Sequence, residues 1–415
     1  GAWNINREEF MQGIEWINNF KLRGSYGLQG NVDKNTSPLI VGEWGNSTVL
    51  PGVNEPAINV TSPPNKNLRW EKTSTYNGGL DLSVLDNRIS LSVEGYYRDS
   101  RDLIGVRAIP SENGFLMTTL NWARVTNKGF ELSLSTVNIR TKDFRWSTDF
   151  NFSRNISKVN DIHVQDNSYS PSLKGYPVNA QFAIKTAGLD ENGLPLFEKD
   201  GKKISGSEFF DIREGDWGIM ETGLSNAEFR NLFTYVGDLD PKFSGGFINK
   251  FRYKDFDLAI SCNFNIKQTV KEQPFYNPTT LDRGLNYSHN ANQIWTPDNT
   301  SGIYPALLGE TTPGSEADIM RQWYGSMDPG NTFRSLDIWY KDISYLRVSS
   351  IRLGYTLPQN LLKNKFISNA RFSFEARNPF VFGTDYSGYF APETYGNIYA
   401  QPIAKSYSIG VNLTF

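Results

Sequence analysis

The chain has 415 residues, with Lys+Arg 42 against Asp+Glu 44 and a formal net charge of -2. That balance offers no basic surface for nucleic acid and no acidic tail, and the single cysteine, Cys262, excludes a disulfide framework within the chain. Mean hydropathy is -0.47 and no run of about eighteen apolar residues occurs. This excludes a transmembrane helix but not a transmembrane β-barrel, whose strands are half polar.

Residue 1 is Gly and no signal-peptide pattern follows it, so the sequence reads as part of a longer polypeptide. Residues 1–19 are a connection into the first strand. Residues 20–28 alternate, with Phe20, Leu22, Tyr26 and Leu28 opposite Lys21, Arg23 and Ser25. A polar connection over 29–71 follows. Residues 72–85 and 88–99 then form two alternating strands across the tight turn Asp86-Asn87. Tyr76, Leu80, Leu82 and Val84 share a face in the first, and Ile89, Leu91, Val93 and Tyr97 in the second.

A loop over 100–127 leads to strands at 128–139 and 144–155, joined by a short turn at 140–143. The connection over 156–241 is very long, with room for a hairpin near 181–197. Strands at 242–253 and 256–266 join across Lys254-Asp255, and Cys262 falls on the apolar face beside Ile260 and Phe264, as a small filler. After a loop over 267–341, residues 342–357 alternate only in their second half. Arg347 and Ser349 break the pattern, so that end lies outside the membrane or contains a bulge. A turn at 358–369, a strand at 370–378, a loop over 379–404 and a closing strand at 405–415 complete the chain. In that last strand Tyr407, Ile409, Val411, Leu413 and Phe415 share one parity, opposite Ser408, Gly410, Asn412 and Thr414.

The reading is therefore all-β, with ten antiparallel strands whose connections alternate between short and long. An outer-membrane barrel sorts its turns this way, short on the periplasmic side and long outside. A soluble sandwich mixes loop lengths at both ends. The polar face carries Arg23, Asp81, Arg88, Glu94, Glu131, Arg145, Asp149, Asp257, Arg371, Glu375 and Arg377, too many charges for a packed core. It is read as lumen, and the Phe/Leu/Ile/Val face as lipid. The bland alternative is a two-layer soluble β protein with one wet face.

Chemistry-bearing clusters are few. His163 and His289 lie in separate loops without companions at metal spacing. Asp190, Glu191, Asp238 and Asp240 read as solvated loop acids, with loop calcium as the lesser alternative. No cofactor is expected and no nucleophile–base pair is found, so the chain is not read as an enzyme. The long loops carry many aromatics. Trp44, Trp217, Trp295, Trp323, Tyr324, Tyr389 and Tyr395 are the candidates for contact with a ligand or a protein partner, and Tyr235, Tyr304 and Trp339 belong to the same group. Packing of the loops on one another is the competing account of the same residues.

Four stretches together resemble the SusC/RagA family of TonB-dependent outer-membrane transporters. DISYLRVSSIRLGYTLP at 342–358 is similar to its late-barrel signature, and LRWEKTSTYNGGLDLSVLDNRISLSVEGYYR at 68–98 to an earlier hairpin. NKGFELSL at 127–134 is similar to a family strand, and NPFVFGTDYSGYFAPE at 378–393 with GVNLTF at 410–415 to the last loop and terminus. One departure is visible: the family usually has Asp before the Pro-Glu of the last loop, where this chain has Ala391 before Pro392-Glu393.

The resemblance implies a roughly 22-stranded barrel of the kind whose lumen is plugged. This chain would supply its ten C-terminal strands, and the plug and the remaining strands would lie outside it. It further implies active import of oligosaccharides or peptides, a SusD-like lipoprotein as lid, TonB as energy source through an N-terminal region, and a bacterial outer-membrane location with the C-terminus periplasmic. Tyr407, Ile409, Val411, Leu413 and Phe415 would be the barrel-assembly signal. The alternative is a self-contained ten-stranded barrel acting as a passive porin or barrel enzyme.

Overall fold

The computed structural model describes residues 1–415 except 35, 48–54, 163–167, 281–283, 328–330, 364–365, 384–390, 395–396 and 398. One eleven-stranded antiparallel sheet dominates it: β1 (Ala2–Asn4), β2 (Ile17–Asn31), β3 (Glu71–Val84), β4 (Ile89–Ala108), β5 (Met117–Arg140), β6 (Phe144–Asp161), β7 (Phe243–Tyr253), β8 (Phe256–Lys271), β9 (Tyr340–Thr356), β10 (Asn369–Phe382) and β11 (Ser406–Thr414). Each pairs with its neighbour in sequence. The ten long strands, β2 to β11, match the ten read from alternation.

Register carries that alternation across the whole sheet. Phe20, Leu82, Leu91, Leu134, Phe150, Phe247, Cys262, Val348 and Phe380 are successive cross-strand partners in one apolar row. The adjoining row runs Lys21, Asp81, Ser92, Ser133, Asn151, Gly246, Asn263 and Arg347. A slip of one residue in any strand would put charges on the apolar face, so pattern and pairing enforce each other. Aromatic residues flank the apolar face near both strand ends. Tyr26, Tyr76 and Tyr97 are partners at one end, and Tyr253, Phe256, Tyr355 and Phe372 at the other. Such belts suit a bilayer interface.

Charges on the polar face pair across strands. Arg23 reaches Asp81 at 2.8 Å and Glu94 at 3.4 Å, Lys250 reaches Asp149 at 2.8 Å, and Arg371 reaches Asp257 at 2.7 Å. A cavity of about 540 Å³ on this face is lined by Arg145, Asp149, Lys250, Asp257, Arg352 and Arg371. The polar face is thus the hollow side of the sheet, as a lumen wall requires.

Turns at one end are short. Leu85, Asp86 and Asn87 run consecutively at positive φ (56°, 56° and 60°), and Lys254 at φ 50° sets the turn from β7 to β8. At the other end several strands outrun the sequence reading. The loop expected over 100–127 is mostly strand: β4 and β5 pair up to Ala108 and Met117. The reason is local. Asp102 takes φ 56° and the register shifts on both sides of Leu103, so a bulge breaks the alternation there. Lys267, at φ 56°, does the same to β8 beyond residue 266.

In β9 the irregularity is a bulge at Ser349, and it flips parity. Val348 and Leu346 therefore stay on the apolar face, while Arg347 and Tyr345 partner the polar-face residues Asn263 and Asn265. The hairpin expected near 181–197 is shorter than the sequence reading. It spans 187–196, where Leu189 bridges Pro195 and backbone hydrogen bonds join Ala187 to Leu196 and Asp190 to Leu194, whereas Ala180–Ile184 pairs with the distant Phe233–Asp238. Polyglycine-like freedom matters at Gly237 in that second strand, where a Cβ would lie 1.8 Å from Thr269 Oγ1 on β8.

Candidate functional site

The two longest connections, β6 to β7 and β8 to β9, pack into one body. Its core includes Ile184, Phe197, Phe210 and Phe229 from the first and Tyr276, Tyr304, Trp323, Phe333, Leu336 and Trp339 from the second. A parallel bridge between Ile184 and Leu336 joins them. Asp337 accepts hydrogen bonds from the Thr186 backbone at 3.1 Å and hydroxyl at 2.8 Å, and Glu316 accepts from Ser207.

Helix Glu316–Gln322 is fixed by its polar residues. Ser315 caps its N-terminus. Asp318 accepts from Thr311, the Gly314 amide, Arg321 and Gln322. These donors, Arg321 and Thr311 first, hold its carboxyl down at about 2. A second short helix, Asn226–Asn231, starts with a capping box between Ser225 and Glu228.

Beside this core opens a cavity of about 810 Å³. Its walls come from the connection between β8 and β9 and from the last loop, through Asn397 and Tyr399. Phe275, Tyr287, Tyr324 and Tyr399 supply rings, Gln273, Asn277 and Asn331 supply amides, and Arg334 supplies a cation. Tyr276, largely buried in the wall, donates its hydroxyl to Pro305 O at 2.7 Å, and burial pushes its phenol well above the usual range. Rings with amides and one cation are the chemistry of a site for an extended polar ligand: stacking gives area and the amides give orientation.

The sequence candidates separate. Tyr324 lines the cavity. Trp323 is fully buried, stacks on Phe210 at 6.0 Å and donates its indole N–H to Thr332 at 3.1 Å, so it packs the loops together. Tyr304 and Trp339 are likewise core residues, stacked at 5.3 Å. Trp295 covers Gly193, where a Cβ would come within 2.5 Å of its ring. Trp44 is 78% exposed on the strand Val41–Ser47, which pairs with Glu55–Ser62. Trp217 lies in the short turn Asp216–Gly218. Tyr389 and Tyr395 lie outside the described residues, as does His163.

Sequence reasoning missed Tyr287, Tyr399 and Arg334 as wall residues. No periodicity marks a loop residue as wall or core. His289 is exposed in the turn His289–Gln293. Asp190 accepts from the Asn192 and Leu194 amides at 2.8 Å, and Asp238 from the Asp240 amide at 3.1 Å, so both organise turns. In β11, Tyr407, Ile409, Val411 and Leu413 pair with Ala376, Phe374, Phe372 and Ala370 and are exposed, and Phe415 follows the strand.

The last loop returns to the wall through a turn, Pro392–Thr394. Ala391 and Pro392 are buried, and Glu393 meets Arg347 of β9.

A family profile described as TonB dependent receptor-like, beta-barrel matches residues 12–378. TonB-dependent receptor P3 of Formosa agariphila is 27% identical over 440 residues, covering 100% of this chain and 41% of the relative. TonB-dependent receptor SusC of Bacteroides thetaiotaomicron is 26% identical over 434 residues, with 100% and 39% covered. The chain thus spans about two-fifths of the length of these relatives. The solved RagAB peptide transporter superposes with a TM-score of 0.74 at 24% identity, over 100% of this chain and 43% of that one.

Proposed function

Since this chain belongs to the TonB dependent receptor-like β-barrel family, we propose that it forms the C-terminal barrel wall of an active importer in the bacterial outer membrane. The apolar row continuous across nine strands, backed by a polar face that carries cross-strand ion pairs, supports the reading of lipid on one side and a wet lumen on the other. The long-connection end faces outward, and its ring-and-amide cavity receives the ligand. The C-terminus is periplasmic. The rest of a roughly 22-stranded barrel, a plug and the TonB contact belong to the part of the polypeptide outside this chain.

Oligosaccharides or peptides are the ligand classes, and a SusD-like lipoprotein is the surface partner. A relative named SusC and a structural neighbour described as a peptide transporter support those classes. The protein is a transporter and not an enzyme. A self-contained ten-stranded barrel would need β2 to pair with β11. Instead β2 has β1 on its outer edge, and β11 pairs with β10 alone among the described residues.

Uptake by cells producing the full-length protein tests the reading. Labelled oligosaccharide or peptide should accumulate in cells with intact TonB and stop when TonB is deleted. Accumulation that continues without TonB overturns active import in favour of a passive pore.

A further inference from the structure

A second cavity, of about 500 Å³, adjoins the 810 Å³ cavity, and Asn331 lines both. Among the described residues no carboxylate lines either one. Each has a single charged lining residue, and both are cations: Arg334 in the larger and Lys271 in the smaller. Lys271 is half-buried, with its ammonium 5.4 Å from the Tyr340 ring centre, and the Arg334 charge acts on it repulsively. The neighbouring acid, Glu272, is engaged by Lys341 at 3.0 Å. Among the described residues neither Lys271 nor Arg334 has a carboxylate in ion-pair reach.

Two cations held near each other, one of them partly desolvated, cost free energy that a bound anion recovers. Charge-assisted hydrogen bonds are about twice as strong as neutral ones. Elsewhere on the sheet some charges meet across strands, as at Arg23–Asp81 and Arg371–Asp257. Among the described residues no counter-charge lines these two cavities, where rings and amides also line open space.

We propose that the two cavities form one subsite for an anionic substituent of the imported ligand, a carboxylate or a sulfate, gripped by Lys271 and Arg334 on either side of Asn331. Tyr287 and Tyr324 flank the neutral remainder of the ligand in the larger cavity. The inference rests on the importer reading and narrows it to acidic cargo. Carboxylate can come from a uronic acid or a peptide C-terminus, and sulfate from a sulfated sugar.

Calorimetric titration of the purified full-length protein in detergent tests this with matched probes. The pairs are oligogalacturonate and its methyl ester, a sulfated oligosaccharide and its desulfated form, and a short peptide with a free C-terminus and its C-terminal amide. The charged member of at least one pair should bind about tenfold more tightly than its neutral partner. Lys271→Gln and Arg334→Gln should each reduce that preference, read as the ratio of charged to neutral affinity, and the double variant should abolish it. The responding pair identifies the source of the anion. Arg334 is exposed, so Arg334→Gln reads the subsite even where Lys271→Gln perturbs folding. Charge-blind binding by the wild type, or a preference that survives the double variant, overturns the subsite. Either result leaves import intact, whereas uptake independent of TonB overturns import itself.

Discussion

Arg347 grips Glu393 with both arms of its guanidinium: Nε lies 2.5 Å from Oε1 and Nη2 2.6 Å from Oε2. The pair joins the barrel wall to the turn Pro392–Thr394 across 46 residues of sequence. The bulge at Ser349 makes it possible, because in a regular strand that kept Ser349 in the ladder Arg347 would share the apolar face of Ile351.

Removing one member of this pair strands a largely buried charge. Glu393→Ala should destabilise the closure of the last loop by about 3–5 kcal/mol. Limited proteolysis of the full-length protein should then cut within 391–404 at low protease, where the wild type resists. Replacing both partners by apolar residues of similar size should restore much of the resistance.

The face assignment gives a paired test within β5. Leu134 lies in the apolar row and Ser133 in the polar one. Leu134→Lys should cost about 2–4 kcal/mol near mid-bilayer. Ser133→Lys, facing the lumen, should stay within about 0.5 kcal/mol. Urea unfolding of the assembled protein in lipid vesicles measures both, and equal costs would invert the reading of lumen and lipid.

Trp323 and Trp44 should behave oppositely. Trp323→Ala empties a fully buried site among Phe210, Met320 and Phe333 and should cost about 3–5 kcal/mol in the loop body. Trp44→Ala, on a ring that is 78% exposed, should cost under about 0.5 kcal/mol. Hydrogen exchange over 184–232 and 273–339 resolves the difference, since only the first change should raise exchange in both connections together.

Asp318 makes the loop body acid-sensitive. Its folded pKa, about 2, lies below that of an unfolded aspartate near roughly 3.9. Between those values the unfolded chain binds more protons, so stability rises with pH. The contribution is fully present above about pH 4 and is lost as pH falls towards 2. Asp318→Asn should flatten this limb of the acid transition, followed by tryptophan fluorescence between pH 5 and 2. An unchanged limb would place the acid sensitivity in other carboxylates.

Much of the wall was legible because period-two alternation is a local property. It reappears as register wherever nothing interrupts the strand, as from Leu82 through Leu91 and Leu134 to Phe150. It stopped being legible at Asp102 and Lys267, where a residue at positive φ adds a bulge and reverses parity. The site was less legible. Trp323 and Tyr324 are adjacent and chemically alike as loop aromatics, yet one is core and the other faces the cavity. Tyr287 and Arg334 gave no signal at all.

The sequence by itself determined which side chains share a face along each uninterrupted strand, because alternation needs only that strand's own residues. The tertiary structure alone decided which loop aromatics became core and which side chains, Lys271 and Arg334 among them, line the cavities. Those outcomes depend on contacts between residues far apart in the chain. Ile184 with Leu336, Asp337 with Thr186 and Arg347 with Glu393 have no periodic trace in the sequence that folds them together.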